Sequence, residues 1–213
     1  PRYTIEYTKF DLKIKNISPK KIYIKNISLK LIGKFNVLNA TAAIALCLSL
    51  GLRIKTIKDA LKSFSGVQRR LTKVFKKNDV EFYDDYAHHP TEIKSVLEAI
   101  RKVAPNRKII TIFQPHRYSR IKTLISEFIT CFKNSDQVIL CPVYSAGETI
   151  DKKYNQVKFA KLISKFSKVQ VIIVKDEIDI TKYFKKNLIK NEIVIGMGAG
   201  SISQWMYNLK KNL

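Results

Sequence analysis

Apolar and polar positions change rhythm near the middle of the chain. Residues 3–32 alternate loosely (Tyr3, Ile5, Tyr7; Leu12, Ile14; Ile22, Tyr23, Ile24; Leu29, Leu31), with Ser18-Pro19 between the runs. Short alternating runs of this kind predict antiparallel strands or hairpins. Residues 36–50 predict an Ala-rich helix closed by Gly51 at the position after its C-cap, where glycine is favoured. A second helix is expected over about 57–64, with Thr56 as N-cap, and Gly66 marks a boundary.

From residue 71 the pattern is regular. Strands are expected at Val80–Asp84, Lys108–Phe113, Gln137–Cys141, Val169–Val174 and Ile193–Gly196. Helices are expected between and after them, at 91–103, 119–133, 156–166, 179–189 and 201–210. Within the first of these, Ile93, Val96, Leu97 and Ile100 form a one-face apolar stripe. Alternation of this kind predicts an α/β fold, a Rossmann-like and mostly parallel sheet with helices on both faces. Ligands of such sheets bind beyond the carboxyl ends of the strands, and the unusual polar residues follow those ends.

Composition narrows the chemistry. The 213 residues are 46% hydrophobic, enough for a core, and no apolar run reaches the ~18 residues of a membrane span. Cys47, Cys131 and Cys141 lie far apart, which argues against a disulfide framework or a zinc site and points to a reducing cytoplasm. The formal charge is +23, but only eight of the 40 basic residues are Arg, and Lys is scattered among Ile and Asn. That distribution fits a codon bias and solvated lysine faces, so no nucleic-acid partner and no membrane partner are expected. The chain starts at Pro1 rather than Met, so a piece of a longer protein is expected.

Against a lysine background the rarer residues carry information. Asn36 and Asn39 share one face of a helix's first turn, where an amide can cap the helix or read adenine. Arg69-Arg70 after Gly66 is either a surface pair or a phosphate fork. The run Tyr83-Asp84-Asp85-Tyr86-Ala87-His88-His89-Pro90-Thr91-Glu92 ends a strand in carboxylates and imidazoles. It reads as a ligand site ahead of a capping network or a divalent-metal site, and no metal ligand set is expected. Arg117 and Arg120, three apart after Gln114-Pro115-His116, can face an anion at a helix start, where cations are locally unfavourable. Gly196-Met197-Gly198-Ala199-Gly200-Ser201 lacks the acidic residue and further strand of a dinucleotide fingerprint, and predicts a tight strand-to-helix turn.

Together these stretches resemble the ATP-dependent Mur ligases of bacterial peptidoglycan synthesis. The residues that carry the resemblance are Asp84–Glu92, Gln114–Arg120, Tyr144-Ser-Ala-Gly-Glu148, Gly33–Ala40, Gly66–Arg70 and the closing Gly-Ala-Gly. Within the family the likeness favours the branch that joins L-alanine to UDP-N-acetylmuramate by way of an acyl phosphate. The branch that recycles murein tripeptide shares Asp-Asp-X-X-His-His-Pro but differs around Gln114–Tyr118, and ranks second with a non-catalytic binding module. The resemblance implies that residues 1–66 end a central ATP-binding domain and 67–213 form an amino-acid-binding domain. It implies ATP with Mg²⁺ as cofactor, and Asn36, Asn39, Arg70 and Asp85 as nucleotide contacts. Tyr86, His88, His116, Arg117 and Arg120 would surround the amino acid, with Arg70 and His88 as catalytic groups. The chain departs from the family at Phe35, usually His, and at Ala87, usually Gly. It also lacks the glycine-rich phosphate loop with its Lys, so the chain alone is expected not to turn over ATP.

Overall fold

A computed structural model describes residues 1–15 and 21–213; Ser18-Pro19 lies outside the described residues. The chain divides into two compact units, residues 1–66 with 102–105, and residues 67–101 with 106–213.

The first unit contains an antiparallel sheet of β1 (Arg2–Tyr3), β2 (Thr8–Ile14) and β3 (Ile22–Leu29) in that order, with α1 (Lys34–Ser49) and α2 (Ile54–Ser63). Phe10, Ile14, Ile24, Ile27 and Leu29 meet Ala40, Ile44 and Ile57 in its core. Gly51 follows the C-cap with φ +80°, and the Leu52 and Gly51 amides donate to Cys47 and Leu48 in a Schellman closure. Thr56 is not the cap of α2. The helix starts two residues earlier, after extended Arg53, which places Ile57 a turn inside it and buried.

The second unit is built on six strands in the order β4-β5-β9-β6-β7-β8. These are β4 (Thr72–Lys77), β5 (Val80–Asp85), β6 (Lys108–Phe113), β7 (Gln137–Leu140), β8 (Gln170–Ile173) and β9 (Glu192–Met197). All neighbours pair in parallel except β4 with β5, which form a hairpin turned at Asn78-Asp79, both in left-handed conformation. Helices α3 (Pro90–Val103), α4 (Tyr118–Thr123), α5 (Ile125–Phe128), α6 (Gln156–Ser167), α7 (Glu177–Asn187) and α8 (Ile202–Asn212) connect and follow the strands. Side chains of a strand alternate between faces. Ile110 and Ile112 accordingly join Ile180 and Phe184 of α7 and Met206 and Leu209 of α8 in one core cluster. Phe113, on the opposite face, packs its ring on Phe128 of α5 and on Phe132. The α/β fold, mostly parallel and covered on both faces, is as the sequence predicts.

Two expectations give way. β4 was not foreseen. The single helix expected over 119–133 breaks at Leu124, where φ is −110°, in a run rich in β-branched residues (Ile121, Thr123, Ile125, Ile129, Thr130) that hold helix poorly.

Register sets up the site. β9 lies between β5 and β6, and its Met197 is level with both Asp85 and Phe113. The loops after these three strands therefore start from one row, and the loop after β7 joins them through the bridge His116–Tyr144.

Candidate functional site

Two adjacent carboxylates end β5, and both are turned inward. Asp84 accepts from the Ser203 hydroxyl on α8 through Oδ2, while its Oδ1 has no partner among the described residues. Burial raises its pKa against the opposing pull of Ser203 and Arg69. Asp85 is 2% exposed. Its Oδ1 accepts from the Ala87 amide at 2.8 Å and its Oδ2 from the Leu71 amide at 2.7 Å. Burial wins over these two amides and over the charge of Arg70, and pushes the carboxyl up to about 6. Each Asp85 oxygen thus holds a loop amide, and the side chain is buried.

What Asp85 holds is the bend that presents Arg70. Arg69 and Leu71 both adopt positive φ, +59° and +50°, a conformation that L-residues enter only when held there. The Leu71 amide is fixed by Asp85, and the Arg69 carbonyl by the Tyr86 amide at 2.7 Å. The Arg69 guanidinium donates to the carbonyls of Gly198 and Gly200 and lies 4.6 Å over the Tyr86 ring. Of the tandem pair, Arg69 is therefore a tether between loops, and Arg70 is the exposed cation at the apex.

The imidazoles and one of the later arginines come together beside this bend. The ring of His88 is 5.1 Å from Tyr86 and 5.7 Å from His116, and His116 lies against Tyr144 at 5.6 Å, 22° from parallel. Arg120, one turn into α4, folds back so that its Nη1 is 3.0 Å from His116 Nδ1. Partial burial and the charges of Arg120 and Arg117 lower the His116 pKa, with Glu148 opposing. Arg117 sits exposed at the N-cap of α4 with φ +69°, and its amide donates to the Tyr144 carbonyl at 2.9 Å. At this helix start the chain also places an anion of its own. Glu148 receives both the amide and the hydroxyl of Ser119 there, and those bonds hold its carboxyl below the usual range.

The structure thus brings Tyr86, His88, His116 and Arg120 into one row, with Arg70 and Arg117 exposed at the ends of loops that join it. Asn36 and Asn39 belong to the first unit, on α1. Neither caps that helix: Gly33 is the N-cap, Asn36 donates to the Ile32 carbonyl at 2.8 Å, and Asn39 is exposed. Among the described residues no group of three or more His, Cys, Asp or Glu gathers at metal-binding distance. No helix among them is long and apolar enough to cross a membrane.

Three residues of the site had no role assigned from sequence. Tyr144 supplies the wall against His116. A Cβ on Gly200 would stand 2.4 Å from Tyr144 Cγ, so only glycine lets that ring lie where it does. Gln114 bonds Ser201 through Nε2 and caps α8 through Oε1, which accepts from the Ile202 amide at 3.0 Å. Their sequence signals were an aromatic in the loop after β7 and an amide directly after β6.

Residues 69–200 match the family described as Mur ligase, glutamate ligase domain. The chain is similar to UDP-N-acetylmuramate–L-alanine ligase of Pelagibacter ubique, 48% identical over 204 residues, covering 96% of this chain and 44% of that protein. Among solved structures it is similar to a UDP-N-acetylmuramate-alanine ligase of Thermotoga maritima, with TM-score 0.77, 26% identity, and coverage of 98% of this chain and 43% of that one. A murein peptide ligase of Psychrobacter arcticus shares the fold at TM-score 0.66 and 19% identity, over 97% of this chain and 44% of that one. The chain spans less than half the length of these relatives.

Proposed function

The chain belongs to the Mur ligase family through its glutamate ligase domain, and from that premise we propose that it is the C-terminal part of an ATP-dependent ligase joining L-alanine to UDP-N-acetylmuramate. Residues 1–66 are read as the end of the central ATP-binding domain and 67–213 as the amino-acid-binding domain. The observation that carries the reading is the convergence of His88, His116 and Arg120 at the carboxyl ends of parallel strands, in a chain whose 48% identical relative bears that name. The weaker likeness to the murein peptide ligase supports the fold alone.

ATP, when bound, supplies the phosphoryl group that activates the muramyl carboxylate. The residues present suit only part of that cofactor. Arg70 is exposed and fits a phosphate oxygen on the second unit, and Asn36 and Asn39 are the adenine contacts proposed on the first. Mg²⁺ does not fit here: Asp85 is spent on backbone amides, Asp84 has only Oδ1 left over, and no group of three or more His, Cys, Asp or Glu gathers among the described residues. The phosphate loop would come from residues beyond these 213.

This part of the protein supplies the second half-reaction. Arg117 and Arg120 hold anionic groups of the amino acid and the acyl phosphate, Tyr86 and Tyr144 wall the site, and the paired imidazoles face the reacting atoms. Their contribution is orientation and charge stabilisation. The need for ATP places the reaction in the cytoplasm, with small molecules as its partners.

Phosphate release provides the test. The complete protein is expected to release phosphate from ATP only when UDP-N-acetylmuramate and L-alanine are both present, while the 213-residue chain alone releases none. Stimulation by murein tripeptide instead of L-alanine, or L-alanine-dependent release from the short chain, would refute the reading.

A further inference from the structure

The two imidazoles of the site bond through the same ring nitrogen to partners of opposite kind. His88 Nδ1 is 2.9 Å from the Tyr86 carbonyl oxygen, and a carbonyl only accepts. That nitrogen carries the hydrogen, which leaves a bare lone pair on Nε2. His116 Nδ1 is 3.0 Å from Arg120 Nη1, and a guanidinium only donates. Here Nδ1 is the bare nitrogen and Nε2 carries the hydrogen. A ring's tautomer follows from the bond its other nitrogen makes. Each bond closes within its own loop, and the ring centroids are 5.7 Å apart.

We propose that His88 and His116 hold opposite neutral tautomers, so that His88 Nε2 takes a proton from the ammonium of the incoming amino acid while His116 Nε2–H donates to the oxyanion formed at the acyl carbon. This rests on the ligase reading and deepens it. In the step, one N–H proton of the ammonium passes to His88, and the freed lone pair forms the N–C bond. The C–O bond to phosphate then breaks, its electron pair leaves with phosphate, and phosphate takes the second proton lost by the nitrogen. One N–H remains on the amide.

The surroundings of the rings differ in the sense this requires. His88 has Glu92 Oε2 at 3.5 Å from Nδ1, placed to stabilise the imidazolium once it forms. Glu92 is itself fixed by the His88 and His89 amides at 3.1 and 3.2 Å. Burial favours its neutral form, but those amides and the charge of Arg70 hold it below the usual carboxylate range. His116 faces Arg120, Arg117 and His88, with Glu148 the opposing charge. A second proton on His116 would also break its bond to Arg120. One ring can accept charge, and the other is kept as a donor.

Imidazole ¹⁵N–¹H correlation spectra of the unmodified complete protein read the tautomers directly. The pyridine-type nitrogen is expected at Nε2 in His88 and at Nδ1 in His116, and the same tautomer on both rings would overturn the proposal. The base role is read with hydroxylamine, a nucleophile uncharged at neutral pH, in place of the amino acid. In the complete protein His88→Ala is expected to lower L-alanine-dependent turnover by about 10²-fold or more, and hydroxamate formation by a clearly smaller factor. Equal losses in the two assays would remove the base role. No hydroxamate from the unmodified protein, with ATP and UDP-N-acetylmuramate supplied, would overturn the ligase reading instead.

Discussion

A carboxylate folded away from water leaves its mark on the pH dependence of stability, and Asp85 is the group to follow. Burial, opposed by the Ala87 and Leu71 amides and by Arg70 and reinforced by Asp84, raises its pKa from 3.8 to about 6. Between those two values the native state binds a proton that the unfolded chain has released. Stability therefore falls as pH rises through that window. About two pH units at ~1.4 kcal/mol each amount to about 3 kcal/mol. Asp85→Asn removes the ionisation, but its NH₂ then faces one of the two amide donors, a loss of roughly 1–3 kcal/mol that does not depend on pH. The measurable quantity is the change in the difference. In urea unfolding followed from about pH 4 to about pH 7, the variant should gain about 3 kcal/mol on the wild type, whatever the constant offset. Glu81 and Glu92 have depressed pKa values, and their stabilisation is lost as pH falls; they titrate alike in both proteins and cancel. A flat difference would show that the amides and Arg70 balance burial, and a wild type that gains on the variant with rising pH would show that they outweigh it; either would refute the raised pKa.

Two further substitutions probe the row of rings. Gly200→Ala would put a Cβ 2.4 Å from Tyr144 Cγ and 2.6 Å from Gln114 Oε1. It should destabilise the protein by roughly 1–3 kcal/mol in urea unfolding and shift the His116 ring signals, and silence in both measurements would contradict the packing. Arg120→Ala in the complete protein should lower kcat/KM for L-alanine by about 10²-fold or more, and unchanged kinetics would remove Arg120 from the site.

The parallel strands were legible because a strand buried on both faces reads as a nearly continuous apolar run, as Lys108–Phe113 and Glu192–Met197 do. β4 was not, because an edge strand can keep Lys73, Lys76 and Lys77 without penalty and so looks like a charged linker; Asn78-Asp79 was the overlooked turn signal. A single helix was expected over 119–133, but a helix-like run in sequence does not report whether the backbone stays helical across Leu124. At the site, residue types clustered in sequence because each loop follows its own strand. Which of two like residues faces outward was invisible. Arg69 and Arg70 differ only in the backbone bend around them, and that bend depends on Asp85, fourteen residues away from Leu71.

That dependence explains why so many polar groups near the strand ends belong to the scaffold and so few face the solvent. Asp84 is tied to Ser203, Asp85 to Leu71 and Ala87, Arg69 to Gly198, Gln114 to Ser201 and Ile202, and Glu148 to Ser119. All but the Asp85–Ala87 tie cross from one segment to another, so the loops are held to one another without a metal-ligand cluster or a disulfide among the described residues. Side-chain groups bonded in this way have little capacity left for a ligand. Among the described residues, the groups left over include the Arg70 and Arg117 guanidiniums, the outer nitrogens of His88 and His116, the exposed ring of Tyr144 and the buried Asp84 Oδ1. A substitution in a tie should then act on the site through geometry, losing stability and activity together, whereas a change at one of the leftover groups other than Asp84 should spare the fold and alter only the chemistry.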